Sequence, residues 1–208
     1  GLRLQTNLVS ETANVVSGLS TSAIGQSFLG DFVMTADVWL NYIGPGPAGA
    51  SGTTQLAAFG WGTAGTVAQT NANSLSGRDS VFMATTLDGQ STVDWRIHAK
   101  DSRFTLANGY YYAAGTAAGG APNEIPGIYG SGDGVGNLNQ SHPYWTAAFP
   151  SEPLLAAQLV NYPSQTGTTA AGSTGFKWRG WEGTKTGTTL TFHIDKVLIC
   201  TLGLTFFP

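Results

Sequence analysis

The chain has 208 residues, with 9 basic and 12 acidic side chains and a formal net charge of −3. That length is ample for one domain with a sizeable core, and so few charges, with no basic run, argue against a nucleic-acid surface or an anionic membrane as partner. No apolar stretch approaches the roughly 18–20 residues of a membrane-spanning helix, and the single cysteine, Cys200, excludes an intrachain disulfide.

Period-two alternation, bounded by Gly, Asn, Asp and Pro, dominates the chain from its start. A first strand is predicted at residues 2–9. Over residues 33–43 one face reads Met34, Ala36, Val38, Leu40, Tyr42, and the other reads Thr35, Asp37, Trp39, Asn41. Strands follow at 55–61 and 80–87. Over 92–99, Val93, Trp95, Ile97 and Ala99 alternate with Asp94, Arg96 and His98. After a strand at 110–114 the pattern stops. Residues 114–149 hold Gly119-Gly120, Pro122, Pro126 and the glycine-rich run at 130–136, which reads as one long Gly/Pro-rich loop. The best helical candidate is Pro153-Leu-Leu-Ala-Ala-Gln-Leu159. A closing meander is predicted from strands at 175–181, around Leu190, Phe192 and Ile194, and at 197–205. Its turns fall at Lys185-Thr186-Gly187 and Asp195-Lys196. With no crossover helices available, the fold class is all-β: an antiparallel β-sandwich forming a single domain over residues 1–208.

Phe176-Lys-Trp-Arg, Thr184-Lys-Thr-Gly-Thr-Thr-Leu-Thr-Phe-His-Ile-Asp195 and Val197-Leu-Ile-Cys-Thr-Leu202 resemble the closing meander of concanavalin A-like (LamG-type) jelly rolls. Asp31-Phe-Val-Met-Thr-Ala-Asp-Val-Trp-Leu40 looks like an early strand of the same fold. The arrangement is also similar to uncharacterised secreted proteins of environmental bacteria. The resemblance implies a fold and not a chemistry. Two departures stand out. Lys196 occupies a turn position where the family hairpin usually has Gly, and such jelly rolls usually continue into a further strand where this sequence ends at Phe206-Phe207-Pro208. The second departure leads to the expectation of an open sheet edge, which recruits partner strands.

Catalytic patterns are missing from the sequence. Glycosidases of this broad fold place paired carboxylates on one strand face, but Glu11, Glu124, Glu152 and Glu182 stand far apart. No G-x-S-x-G elbow precedes a helix, and the run at 130–136 lacks the Lys-Ser/Thr pair of a phosphate loop. His98, His142 and His193 share no zinc-ligand spacing. The chain is therefore not expected to be an enzyme. For calcium, which jelly rolls of this type often hold, the best ligands are Asp133, Asn137 and Asn139 in the long loop.

Two non-enzymatic functions follow. The low charge and the apolar end, with Leu202, Leu204, Phe206 and Phe207, point to a structural protein that assembles with copies of itself. Alternatively, Asp37, Trp39 and Asn41 on one strand face, with Tyr111 and Trp145 as further rings, form a lectin-like set for polysaccharide. Trp95 and Trp178 are expected to fill the core. The abundance of Gly, Ser and Thr resembles secreted β-rich proteins, and a chain beginning at Gly1 fits a signal peptide already removed. The expected location is extracellular or at the cell surface.

Overall fold

The computed structural model describes residues 1–4, 21, 25–41, 56–62, 80–86, 95–99, 102–103, 111–113, 140–160 and 167–203. Its strands are β1 Phe32–Trp39, β2 Leu56–Gly62, β3 Ser80–Thr86, β4 Trp95–Ala99, β5 Ser102–Arg103, β6 Tyr111–Ala113, β7 Trp178–Thr186, β8 Thr189–Ile194 and β9 Val197–Gly203. They form two antiparallel sheets, one in the order β1-β7-β8-β9-β6 and the other β2-β3-β4-β5.

The alternation in the sequence sets which face is dry. In β1, Phe32, Met34, Ala36 and Val38 are half-buried while Val33, Thr35 and Asp37 are exposed. In β8, Leu190, Phe192 and Ile194 are buried between more exposed neighbours. β1 and β8 thus each give the five-stranded sheet one drier, apolar face and one wetter face.

Aromatic rings join the two sheets. Phe59 of β2 meets Trp181 of β7 edge-on with centroids 5.9 Å apart, and Trp61 lies 5.0 Å from Phe192 and 5.3 Å from Phe32. Gly183 makes room for this contact, because a Cβ there would come within 2.5 Å of the Trp61 ring. A second layer of rings closes the core. Trp95 stacks on Trp145 at 4.4 Å and on Phe149 at 5.4 Å.

Trp145 belongs to a short helix, α1, Pro143–Ala148. His142 caps it by accepting the Tyr144 N–H at Nδ1, with Pro143 in the first turn. Trp145 and Phe149, four residues apart, then share the buried side. The Tyr144 hydroxyl donates to the Leu198 carbonyl and docks α1 on β9.

Several expectations need correction. The loop expected over 114–149 ends sooner, because α1 occupies part of it; residues 114–139 lie outside the described residues. The helical candidate becomes a 3-10 helix at Ala156–Val160, with Pro153 in an isolated bridge to Thr168. Residues 2–4 are not in a strand. β7 starts at Trp178 rather than at residue 175, because Phe176 takes a φ of 61°, incompatible with an extended strand. The first meander turn is Gly187-Thr188; Lys185 and Thr186, expected in that turn, belong to β7. The second falls at Asp195-Lys196 as expected, with φ of 51° and 68°. Lys196 therefore does occupy a glycine-type conformation.

Candidate functional site

The wet face of β1 and β7 carries the most distinctive group of side chains. In register, Trp39 lies opposite Trp178, Asp37 opposite Gly180 and Thr35 opposite Glu182. Period two puts all six positions on the outer face. Trp39 and Trp178 form a tilted pair, centroids 5.9 Å apart and planes at 58°. Trp178 is 64% exposed, which is unusual for the largest apolar side chain.

Trp178 is expected in the core from the sequence but lies outside it, and the parity of β7 explains why. Trp178 and Trp181 are three residues apart, so a strand sends them to opposite faces. Trp181 takes the inner face with Arg179 and Gly183, and Trp178 is left outside.

Next to the indole pair lies an open depression of about 640 Å³, lined by Thr35, Asp37, Gly180, Glu182, Asp195 and Lys196 among others. Gly180 forms part of its floor. A Cβ there would touch only Asp195 Oδ1, at 3.9 Å, so the space above this residue is free. Asp37 is exposed, and the Glu182 side chain is 46% exposed. Glu182 Oε1 accepts from the Thr184 hydroxyl at 3.3 Å and lies 3.8 Å from His193 Nδ1.

A buried cation holds this face from behind. Arg179, only 3% exposed, reaches Asp195 Oδ2 with Nη1 at 2.9 Å and Glu152 Oε1 with Nη2 at 3.2 Å. Its guanidinium lies 5.3 Å from the centroid of the Phe149 ring. Lys177 also reaches Glu152, at 3.0 Å. Ion pairs thus flank Trp178 on the preceding and following residue, and fix the backbone that presents it. Arg179 is not among the candidates the sequence offers. Its position between two tryptophans at alternating parity was the available signal.

The sequence candidates separate into several groups. Asp37 and Trp39 come together in the outer-face site. Asn41 sits just beyond β1 and is half-buried, its amide oxygen accepting from Gln158 of the 3-10 helix. Tyr111 is on β6, at the opposite edge of the five-stranded sheet from β1, so it does not join Trp39. Trp145 is fully buried against Trp95 and offers no ring to a ligand. Leu202 pairs with Leu190 of β8 and Tyr111 of β6, which places β9 inside the sheet rather than at its edge. Leu204, Phe206, Phe207, Asp133, Asn137 and Asn139 lie outside the described residues, and so does the calcium set they include. Among the described residues, no group of three or more His, Cys, Asp or Glu side chains is placed to hold a metal ion. No helix of the described residues is long and apolar enough to cross a membrane.

No family model, curated protein or solved structure matches this chain.

Proposed function

We propose that this protein is a non-enzymatic, extracellular carbohydrate-binding module with a concanavalin A-like jelly-roll arrangement of its two sheets. The observation that carries the reading is the Trp39–Trp178 pair, Trp39 half-buried and Trp178 64% exposed, on the same face as an open depression lined by carboxylates. Sugar rings present apolar C–H faces that stack on indole, and their hydroxyls need a few polar groups nearby to fix orientation. Thr35, Asp37 and Glu182 supply those groups one and two steps along the same strands. A rigid sheet holds them in place, which limits the ordering cost of binding.

Affinity electrophoresis through gels cast with a panel of neutral, basic and acidic polysaccharides tests this reading. At least one polymer retards the wild type, and Trp178→Ala runs at the speed of a non-binding control. Equal mobility of the two proteins in every gel contradicts it.

A second reading, self-assembly, is favoured by Phe28, Leu29 and Val33, which leave apolar surface exposed around the start of β1, with Leu29 93% exposed. Contact between copies at β1, an edge of the sheet among the described residues, covers such a surface. A particle mass by light scattering that stays at one chain when the protein is concentrated rules this reading out.

A further inference from the structure

We infer that the outer-face site selects polysaccharides whose sugars carry a protonated amine, in preference to neutral or acidic ones. This rests on the carbohydrate reading above and concerns its specificity. The depression beside the indole pair is lined by three carboxylates, Asp37, Glu182 and Asp195, and by one ammonium, Lys196. Asp195 is already engaged by the Arg179 guanidinium behind the sheet, whereas Asp37 faces solvent.

Register fixes the spacing of the two remaining carboxylates. Asp37 lies opposite Gly180, and Glu182 is two residues further along β7. That is a diagonal pair on one face, with a Cα separation of roughly 7–8 Å. A cation seated over Gly180, where a Cβ would meet only Asp195 Oδ1, lies between the two. Trp39 and Trp178, one same-face step along their strands from Asp37 and Gly180, are placed to stack on the sugar that carries the charge. An anionic sugar meets the opposite situation, with Lys196 alone in its favour. His193, 3.8 Å from Glu182, adds positive charge only when protonated.

The experiment is a calorimetric titration of the whole chain with two hexasaccharides of identical linkage, β-1,4-glucosamine and its fully N-acetylated form, at about pH 6 and low salt. The amine form binds about tenfold more tightly, an advantage that shrinks as salt is raised. In Asp37→Asn/Glu182→Gln the ratio of the two affinities falls towards one. Asp37→Asn alone lowers the ratio, whereas Asp31→Asn, which removes an equal charge away from the depression, keeps it, which separates local recognition from the net charge of the chain. Equal affinity of the wild type for both sugars overturns the inference and leaves the carbohydrate reading standing. Absence of binding to either sugar, together with no retardation by any polysaccharide on the panel, overturns both.

Discussion

Asp195 and Gly180 exchange two hydrogen bonds. The Gly180 N–H donates to the Asp195 carboxylate, and the Asp195 N–H donates to the Gly180 carbonyl, each at 2.8 Å. This reciprocal pair ties the β8–β9 turn to the middle of the wet face, and the second carboxylate oxygen of Asp195 continues to the buried Arg179. A single turn residue therefore links the hairpin, the floor of the depression and the ion pairs behind it.

Asp195→Ala should lower the unfolding free energy by about 2–3 kcal/mol in urea titration. It removes one partner of a buried guanidinium and leaves an alanine at positive φ. An effect below about 0.5 kcal/mol would mean that Glu152 alone satisfies Arg179.

Lys196→Gly should act in the opposite direction. Lys196 holds a φ of 68°, which costs an L-residue about 1–2 kcal/mol, partly offset by the greater chain entropy glycine has when unfolded. A net gain of about 0.5–1 kcal/mol is expected, read as a higher Tm. A lower Tm would show that the Lys196 side chain stabilises the turn by more than its backbone strain.

Trp145→Ala separates core from site. The side chain is 0% exposed and stacks on Trp95, so its removal should cost about 3–5 kcal/mol. Trp178→Ala removes a largely exposed ring and should cost less than about 1 kcal/mol. Thermal melts of the two variants side by side check the contrast, and similar losses would argue against the assigned faces of α1 and β7.

Gly180→Val should fill the floor of the depression without disturbing the sheet. The added Cβ meets only Asp195 Oδ1, and valine suits a strand better than glycine does. The expected result is an unchanged or higher Tm with about tenfold weaker polysaccharide binding. Binding at wild-type strength would place the ligand elsewhere on the face.

Stability should fall at alkaline pH. Burial pushes the Cys200 thiol well above its ordinary value of 9.0, outweighing a backbone hydrogen bond at Phe192 that acts the other way. Burial also raises the Tyr144 phenol above its ordinary 10.0. In each case the unfolded chain loses its proton first, so stability is fully present below the ordinary value and declines as pH rises past it. The slope is at most about 1.4 kcal/mol per pH unit for each group. Urea titrations from neutral to alkaline pH should show the decline, and Cys200→Ala should lessen it. A flat profile would contradict the burial of both groups.

Much of the architecture was legible in the sequence because burial in a sheet follows residue parity. Met34, Ala36 and Val38 in β1, and Leu190, Phe192 and Ile194 in β8, alternate so cleanly that face and strand could be read together. β7 was harder. Its sequence Trp-Arg-Gly-Trp places a large ring in both phases, and the phase is settled by tertiary contacts, with Trp181 inward against Phe59 and Arg179 paired with Glu152 and Asp195. Helix α1 escaped notice because six residues are too few to show a period. Its cap at His142 and the Trp145–Phe149 pair are visible only once a helix is assumed. Of the site, Asp37 and Trp39 could be found on one strand. Trp178, Gly180, Glu182 and Asp195 join them through strand pairing and turn geometry, which a single chain's pattern does not specify.

The most direct test of the outer face as the ligand site uses the six indole N–H signals in a proton–nitrogen correlation spectrum, one for each tryptophan. Titration with a polysaccharide fragment that binds in the gel assay should move the signals of Trp39 and Trp178. Those of Trp95, Trp145 and Trp181, buried in the core, should stay in place. Saturating ligand that leaves Trp39 and Trp178 unmoved would contradict the account.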